Sequence, residues 1–435
     1  MVHDTKRVSP QSMLDTDLYK FTMQQAVQRH FPDVDAVYRF THRDKDVYFT
    51  RECYELFLEA LSHFGELALT DAEREWLGRA CPYFTPSYLD YLQSYRFNPS
   101  QVSVAFHPKA PSSSPDPPPG SPYERGRIAI EARGPWLETI LWEVPLMATL
   151  SELFFTTADR DWTYDGQEAE AREKGRRLLE AGCTFSEFGT RRRRSYAVQD
   201  LVVGALVRVE REGRERGEGW KGHVSGTSNV HLAMKHGIAP VGTIAHEWFM
   251  AVGAMRGYEH ANGIALDLWE DVYPDVLLLA LTDTFSTEAF FKDFVLDKER
   301  ANRWKGLRQD SGDPYVYAPR AKEVYESMGI DYRQKSIIYS DSVNLDKALK
   351  LAKQCREIGF IPLFGIGTWL SNDFPSVSRK GEKSKALNMV IKLAGVDGKH
   401  CVKISDELMK NTGDEETVKH VKKVFEIPEQ KSVGS

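Results

Sequence analysis

Polar and charged residues follow several short apolar segments in the second half of the chain. Asp283 precedes Asp310 by 27 residues, Asp310 precedes Asp341 by 31, and Asp341 precedes Thr368 by 27. A repeat of this length holds one strand and one helix, as in a βα barrel or a doubly wound sheet. Binding and catalytic residues of both folds collect where the strands end, so we expect these four positions to belong to one site.

The segment GLRQDSGDP places Arg308 beside two carboxylates, Asp310 and Asp313. A guanidinium offers a planar fork of donors that suits a carboxylate or a phosphate. Neighbouring carboxylates can hold sugar hydroxyls or a hydrated Mg²⁺. A turn stabilised by Asp and Gly, carrying a surface arginine, is the alternative, and the residue types leave both interpretations open.

Two glycine-containing segments, FGIGTW at 364–369 and GTSN at 226–229, also follow predicted strands. Glycine lets backbone N–H groups approach a phosphate, and a helix N-terminus adds a favourable dipole. FGIGTW is neither a Walker loop nor GxGxxG, and a tight βα turn explains it equally well. In GTSN, Ser228 or Asn229 can cap a helix that Gly237 ends.

Four consecutive arginines, Arg191–Arg194, precede a helical pattern. Guanidinium groups at a helix start oppose the helix dipole unless an anion is present, and a bound phosphate would resolve that conflict. A solvated basic patch and a nuclear-import tract are the alternatives. We favour anion binding, because the run follows the end of a predicted strand.

The segment GTIAHEWF brings Thr243, His246 and Glu247 to another predicted strand end. A histidine there could act as a base, a ligand or a phosphoryl acceptor, and Glu247 could fix its tautomer. The spacing is not HExxH, which excludes a zinc protease of that type. A structural histidine is the alternative, and His231 and His236 are rival positions that helical spacing assigns to packing or the surface.

The composition excludes several classes of protein. Lys and Arg number 57 and Asp and Glu 63, a net charge of −6, whereas dedicated nucleic-acid or anionic-membrane binders are usually basic. The longest apolar run, 276–281, is too short for a membrane span, and the N-terminus lacks a secretory core. Five scattered cysteines without a CxxC pair indicate reduced thiols. We therefore expect a cytoplasmic protein, with the nucleus as a further location.

The N-terminal part predicts a region outside the barrel. Asp15 or Thr16 can cap a helix that runs to about His30, and residues 36–43 have the pattern of a half-buried strand. The proline-rich segment 107–125 cannot supply a backbone ladder and is predicted as an exposed loop within a hairpin.

The C-terminal part returns to β-structure. Asp397-Gly398 between apolar runs indicates a type I′ hairpin, and we expect its strands to rejoin the N-terminal region. The predicted domains are an α+β domain at 1–150, a βα barrel at 151–375, and a hairpin with a helix at 376–435 that returns to the first domain.

The motifs together resemble those of nicotinate phosphoribosyltransferases. They are, in order, TDLYKFTM, FGTRRRRS, GTSNV, GTIAHEW, ALTDTF, GLRQDSGDP, YSDS and FGIGTWL, and they cover most of residues 15–405. The resemblance implies an α/β type II phosphoribosyltransferase fold: an irregular βα barrel plus an α+β domain formed by the N-terminal and C-terminal segments. It also implies that nicotinate and phosphoribosyl pyrophosphate give nicotinate mononucleotide and pyrophosphate in NAD salvage, with Mg²⁺ as cofactor and ATP as co-substrate.

The same resemblance assigns roles by motif position. His246 is the histidine expected to take a phosphoryl group from ATP. The expected nicotinate contacts are Tyr19, Thr243, Arg308 and Phe188, and the expected phosphoribosyl pyrophosphate contacts are Arg191, Asp310, Asp341, Gly367 and Thr368. Phe188 and Arg191 are assigned through a related enzyme that uses nicotinamide. Asp283 or Asp310 is the candidate metal ligand.

The implied chemistry agrees with the residue types. Departure of Mg-pyrophosphate leaves an oxocarbenium-like ribose, which the pyridine nitrogen attacks without a general base. The enzyme then mainly positions two anions and stabilises the charge of the leaving group.

Three alternatives remain. A related type II enzyme would act on nicotinamide or quinolinate, and a βα-barrel aldolase or isomerase would need a Schiff-base lysine or a general base that we do not find. A nucleic-acid binder could use Arg191–Arg194, but the acidic chain lacks interleaved aromatic residues. We expect small-molecule substrates, no nucleic-acid or membrane partner, and either a monomer or a homodimer.

Overall fold

This computed structural model describes residues 10–110, 117–407 and 411–428. Within them lie two six-stranded β-sheets, one two-stranded sheet and the helices that surround them. The strands are β1 (Asp35–His42), β2 (Phe49–Thr50), β3 (Val102–Pro108), β4 (Arg125–Pro135), β5 (Thr184–Glu187), β6 (His223–Thr227), β7 (Leu279–Leu281), β8 (Gly306–Gln309), β9 (Ser336–Tyr339), β10 (Ile361–Ile366), β11 (Phe374–Pro375), β12 (Lys383–Ser384), β13 (Met389–Val396) and β14 (Lys399–His400). The α-helices are α1 (Leu18–His30), α2 (Arg51–Ser62), α3 (Asp71–Ala80), α4 (Pro86–Ser94), α5 (Trp136–Thr139), α6 (Glu143–Thr157), α7 (Gln167–Glu180), α8 (Tyr196–Glu215), α9 (Val230–His236), α10 (His246–Arg256), α11 (Ala261–Val272), α12 (Thr287–Phe294), α13 (Lys298–Arg303), α14 (Pro314–Ser327), α15 (Leu345–Ile358), α16 (Thr368–Ser371) and α17 (Glu415–Val424).

A parallel sheet occupies the central part of the chain. Its strand order is β6-β5-β10-β9-β8-β7, and every neighbouring pair is parallel. The strand predicted in APVGTIAHEW is reduced to one parallel bridge, between Thr227 and Pro240. Within the described residues no ladder joins β6 to β7, so the barrel is irregular, as the family resemblance implied.

An antiparallel sheet combines the two ends of the chain. Its strand order is β14-β13-β1-β4-β2, with β3 paired to β4. Strand β1 pairs with β13 on one side and with β4 on the other. The prediction that the N-terminal and C-terminal segments form one α+β unit is therefore confirmed.

Local sequence signals correctly predicted several turns and caps. Asp397 and Gly398 join β13 to β14 with φ angles of 45° and 73°, the positive pair that a type I′ turn requires. Asn229 caps α9 by accepting the N–H of Leu232, and Gly237 ends that helix with φ 65°. Each signal depends only on neighbouring residues, which is why the sequence was sufficient.

The predicted start of α1 was wrong by one or two residues. The residue at the N-cap is Asp17, whereas Asp15 pairs with the buried Arg193 at 2.6 Å. The long-range ion pair removes Asp15 from the capping position that its residue type suggested.

The proline-rich loop is shorter than predicted. His107 and Pro108 still pair with Arg127 and Gly126, so the β3–β4 ladder continues into the segment 107–125. The carbonyl oxygens still accept ladder hydrogen bonds where proline has no N–H to donate. Residues 111–116, where the exposed loop was also predicted, lie outside the described residues.

The predicted domain limits stay predictions, among them the return of the C-terminal helix to the first domain. The ring of Phe425, just after α17, stacks on Phe285 at 5.2 Å between centroids. Lys292 forms an ion pair with Glu426 at 2.7 Å. Phe425 and Glu426, which follow α17, therefore contact residues of the predicted barrel segment 151–375.

Two further observations concern composition. None of the helices in the described ranges is long and apolar enough to cross a membrane. All five cysteines, each of which the structure describes, are buried free thiols.

We predict that Gly226→Ala lowers the free energy of unfolding by more than about 2 kcal/mol. Gly226 has φ 149°, and an added Cβ would overlap the carbonyl oxygen of Ala239, which passes beside β6. Gly237→Ala is the control, because its Cβ would meet no atom within 4 Å and only the φ strain remains, about 1 kcal/mol. Thermal unfolding of both variants measures the difference; equal losses would contradict the close approach.

Candidate active site

A cavity of about 640 Å³ lies between the carboxyl ends of the parallel strands and strand β13. It is lined by all ten residues that the sequence assigned to substrates or phosphoryl transfer: Tyr19, Phe188, Arg191, Thr243, His246, Arg308, Asp310, Asp341, Gly367 and Thr368. Asp283 does not line the cavity, but it accepts a hydrogen bond from Ser311, which does. Parallel strands end at one edge, and this edge gathers residues from segments far apart in sequence.

A buried glutamate holds two of these side chains beside each other. The carboxylate of Glu143 accepts hydrogen bonds from the hydroxyl of Tyr19 at 3.2 Å and from the guanidinium of Arg191 at 3.3 Å. Arg191 also lies over the Tyr19 ring, 5.7 Å from its centroid. Tyr19 and Arg191 therefore line the cavity side by side.

The same glutamate belongs to a buried ion network. Lys20 lies 2.6 Å from Glu143 and 2.7 Å from Glu247, and its side chain is fully buried. Burial opposes ionisation of Glu143, but Lys20 and Arg191 outweigh it, so its pKa lies below the ordinary value. Burial raises the pKa of Glu247 to about 7, because Lys20 offsets the desolvation only in part.

This network corrects one expectation. Glu247 contacts Lys20 and does not fix the tautomer of the neighbouring His246. Instead, Nδ1 of His246 lies 3.0 Å from the hydroxyl of Thr284, and Nε2 lies 3.1 Å from Asp310 and 2.8 Å from the ammonium of Lys403.

His246 is held largely uncharged by its surroundings. Burial lowers its pKa, and the Lys403 cation lowers it further, although Asp283 and Asp310 act in the opposite direction. A neutral imidazole keeps a nitrogen lone pair, which a nucleophile needs. The rival histidines lie elsewhere: His231 contacts Tyr196, and His236 contacts Asp200.

The four-arginine run divides into two pairs, which corrects the expectation that all four bind an anion. Arg191 and Arg192 line the cavity. The guanidinium of Arg193 forms a bidentate ion pair with the carboxylate of Asp15, with N–O distances of 2.6 and 2.8 Å. Arg194 is fully buried, with its guanidinium carbon 3.7 Å from the ring centroid of Phe155. Only the first pair is placed to bind an anion, and the burial of the second pair argues against a nucleic-acid surface.

Several cations of the cavity were missed by sequence reasoning. They are Arg43, Lys383, Lys385, Lys392 and Lys403. Burial lowers the pKa of Lys392 to about 7, and Lys403 and Arg43 add to the effect. Burial lowers the pKa of Arg192 to about 10, assisted by Arg191 and Arg43. The available signal was a lysine inside an apolar strand pattern, MVIKLAGV, which packing alone does not explain.

Arg308 lies between a serine and a carboxylate. Its Nε donates to the hydroxyl of Ser340 at 2.9 Å, and a terminal nitrogen donates to Asp310 at 3.1 Å. Desolvation opposes ionisation of the half-buried Asp310, but Arg308 and His246 hold its pKa well below the ordinary value. Asp310 is therefore an anion at neutral pH, and Arg308 keeps further donors for a ligand.

Asp283, Asp310 and His246 could share a metal ion. Each offers one ligand atom, and these atoms lie within 4.8 Å of one another. Oδ1 of Asp283 is buried and has no hydrogen-bond partner among the described residues. Carboxylate oxygens are the ligands that Mg²⁺ prefers, so the two aspartates suit that ion.

The glycine-rich segment has one feature that differs from expectation. Gly365 makes room for Phe188, whose ring would overlap any Cβ at that position. Helix α16, which begins at Thr368, has only four residues, so its dipole contributes less than a full helix would. The Thr368 hydroxyl and the nearby backbone remain available to a phosphate.

Comparison with known proteins identifies the family. The model of the nicotinate phosphoribosyltransferase (NAPRTase) family matches residues 183–429, and the model of its N-terminal domain matches 14–151. The chain belongs to the nicotinate phosphoribosyltransferase family.

Relatives extend this match over nearly the whole chain. Nicotinate phosphoribosyltransferase from Methanosarcina mazei is 40% identical over 94% of this chain and 96% of its own, and that from Saccharomyces cerevisiae is 38% identical over 97% and 96%. The crystal structure of nicotinate phosphoribosyltransferase from Porphyromonas gingivalis superposes with a TM-score of 0.84 at 35% identity, covering 96% of this chain and all of that one. The nicotinate phosphoribosyltransferase fold predicted from the motifs is confirmed.

We predict that methionine substitutions of two neighbouring arginines, Arg193 and Arg192, differ in their effect on the free energy of unfolding. Arg193→Met leaves Asp15 buried without its cation and should cost about 3–5 kcal/mol of unfolding free energy. Arg192→Met removes a guanidinium that has no ion pair among the described residues and that Arg191 and Arg43 repel, so stability should stay the same or rise. Thermal unfolding of the two variants is the measurement, and similar losses would contradict the division of the run.

Proposed function

We propose that this protein transfers the 5-phosphoribosyl group from phosphoribosyl pyrophosphate to nicotinate, giving nicotinate mononucleotide and pyrophosphate. ATP assists through transient phosphorylation of His246. The observation that carries the proposal is the gathering of all ten expected residues around one cavity, in a chain of this family.

The transfer needs charge stabilisation more than acid–base chemistry. The C1–pyrophosphate bond breaks with its electron pair on the leaving oxygen, and the pyridine nitrogen forms the new bond to C1 with its own lone pair. Arg192, Lys392 and Arg43 surround the cavity with cations that lack an ion pair in the described chain. Fixed cations around a leaving polyanion lower the barrier without the reorganisation that water would need.

Selection of the acid over the amide is assigned to Arg308. Its free donors can bind a carboxylate as a planar pair, whereas the amide of nicotinamide presents only one acceptor. Tyr19, Thr243 and Phe188 complete the proposed pyridine subsite. Arg191, Asp341, Gly367 and Thr368 are proposed to hold the phosphoribosyl group.

Mg²⁺ is proposed to bind at Asp283 and Asp310. Bound there, the ion would neutralise pyrophosphate or ATP charge. Lys403 also lies at this site, with its ammonium nitrogen 3.4 Å from Asp283 and 2.8 Å from Nε2 of His246.

One chain contains every side chain proposed to contact substrates, including Tyr19. We therefore propose that the monomer is sufficient for activity, so that assembly into a homodimer would not be required for catalysis.

Parallel assays with three pyridines test the proposal. The protein, Mg²⁺ and phosphoribosyl pyrophosphate are incubated with nicotinate, nicotinamide or quinolinate, and mononucleotide is quantified. We expect nicotinate to give far more mononucleotide than nicotinamide or quinolinate. Arg192 is the one observation that favours quinolinate as an alternative, because it could meet a second carboxylate; a dominant quinolinate product would establish that function instead.

We predict that Arg308→Ala raises the KM for nicotinate about ten- to a hundredfold, the loss of roughly 1.5–3 kcal/mol from a charge-assisted hydrogen bond. The variant should also discriminate less against nicotinamide. Arg308→Lys is the matched control, because it keeps the charge but loses the planar fork and should recover part of the selectivity. An unchanged acid-to-amide ratio in the alanine variant would show that another residue selects the substrate.

We predict that His246→Ala abolishes the acid-labile phosphoenzyme and the ATPase activity but keeps slow mononucleotide synthesis that ATP no longer stimulates. The transfer step itself needs no histidine, whereas phosphoryl transfer from ATP needs its nitrogen. His231→Ala, outside the cavity, should keep both activities. Phosphate labelling that persists in the His246 variant would assign the role to another residue.

A further inference from the structure

Glu187, the last residue of β5, lies buried beneath the turn that carries Phe188 and Arg191, with only 1% of its surface exposed. One carboxylate oxygen accepts the N–H of Gly189 at 2.5 Å. The other accepts hydrogen bonds from the Gln199 amide at 2.9 Å and the Thr227 hydroxyl at 2.7 Å. The three donors come from the turn, α8 and β6, so one carboxylate joins three parts of the barrel.

The turn above this carboxylate has little freedom. The N–H of Phe188 donates to the carbonyl of Ile366 at 2.8 Å. A Cβ on Gly189 would overlap the hydroxyl of Ser371 as well as the Glu187 carboxylate. Because the turn is closely packed, the direction of the Gly189 N–H determines the backbone position of the next two residues, Thr190 and Arg191.

The charge on Glu187 is costly. No cation pairs with it among the described residues, and the charged group that faces it is Asp17, another carboxylate. Burial raises the pKa of Glu187 to about 7, although hydrogen bonds from Thr227, Gln199 and Gly189 lower it. A glutamine has the same shape and would avoid the cost of a desolvated charge, which indicates that the charge itself has a use.

We propose that ionised Glu187 is a positioning residue that locks the Phe188–Arg191 turn in the conformation that binds phosphoribosyl pyrophosphate. The inference rests on the proposed function and adds a residue to it. A carboxylate accepts all three hydrogen bonds, whereas a glutamine must give up at least one of them and loses only one when its amide nitrogen faces Gly189. With its amide toward Gly189 it places two donors against each other, and the turn shifts.

Glu187→Gln tests the proposal, with two measurements on the full chain. Calorimetry with Mg²⁺ and phosphoribosyl pyrophosphate at about pH 8 should show roughly tenfold weaker binding, because the turn would hold the binding conformation in only about a tenth of the variant molecules. Thermal unfolding at the same pH should show a higher midpoint. The sign follows from linkage: the folded-state pKa of Glu187, about 7, exceeds its ordinary 4.5, so stability is lost as pH rises through this interval.

The pH dependence supplies a readout that a merely structural residue would not give. As pH falls through about 7, protonation of Glu187 should bring the affinity of the wild-type protein toward that of the glutamine variant. Titration of the ligand phosphates affects both proteins equally, so their affinity ratio isolates Glu187. Thr227→Val removes a hydrogen bond that lowers the pKa of Glu187, so the fall in affinity should move to higher pH.

A matched control is available in Glu152, which accepts the N–H of Tyr196 at 2.9 Å and does not line the cavity. Glu152→Gln makes the same chemical change and should leave the affinity unchanged.

Three results would overturn the inference. They are unchanged affinity in Glu187→Gln, weaker affinity accompanied by a lower thermal midpoint, or an unmoved pH response in Thr227→Val. The valine variant decides the question if the glutamine variant does not fold. A wild-type protein that itself fails to bind phosphoribosyl pyrophosphate would overturn the proposed function as well, and is recognised without any variant.

Discussion

The contact of Lys20 with Glu143 and Glu247 determines how the predicted N-terminal domain, 1–150, meets the barrel segment, 151–375. These residues lie at the starts of α1, α6 and α10, and all three side chains are buried. Removing one partner from such a network leaves an uncompensated buried charge, about 3–5 kcal/mol. Tyr19 and His246 are the chain neighbours of Lys20 and Glu247, so the network also places these two cavity-lining residues relative to each other.

The remaining charges of the cavity are arranged for a ligand more than for stability. Arg43 contributes to the lowered pKa of both Arg192 and Lys392, and this repulsion costs folding free energy in the absence of an anion. A polyphosphate substrate would supply the missing negative charge. Its binding would relieve the repulsion among these cations, and the relief would add to its affinity. The ion pair of Arg193 with Asp15, by contrast, joins the segment that follows β5 to the segment that precedes α1.

Much of the fold could be predicted because its signals are local. The spacing from Asp283 to Thr368 indicated strand–helix repeats, and Asp397-Gly398 requires only the positive φ angles that those residue types tolerate. The candidate site could be predicted because parallel strands deliver their last residues to a common edge. Family motifs then assigned roles to individual positions that residue chemistry had left open.

The rest depends on contacts between distant segments, which residue type does not encode. Arg192 and Arg194 are identical and nearly adjacent, yet one lines the cavity and the other packs on aromatic rings. Lys403 reaches His246 across 157 residues, and only the tertiary fold brings them together. Glu247 points away from its neighbour because successive residues at the start of a helix project in different directions.

A crystal structure of the protein with nicotinate mononucleotide bound would test the central claim most directly. We expect the pyridine carboxylate to lie within hydrogen-bonding distance of Arg308, with the ring between Tyr19 and Phe188. The 5-phosphate should contact Arg191 and the backbone at Thr368. A product bound in the reverse orientation, with its phosphate on Arg308, or one bound outside this cavity, would contradict the proposed site.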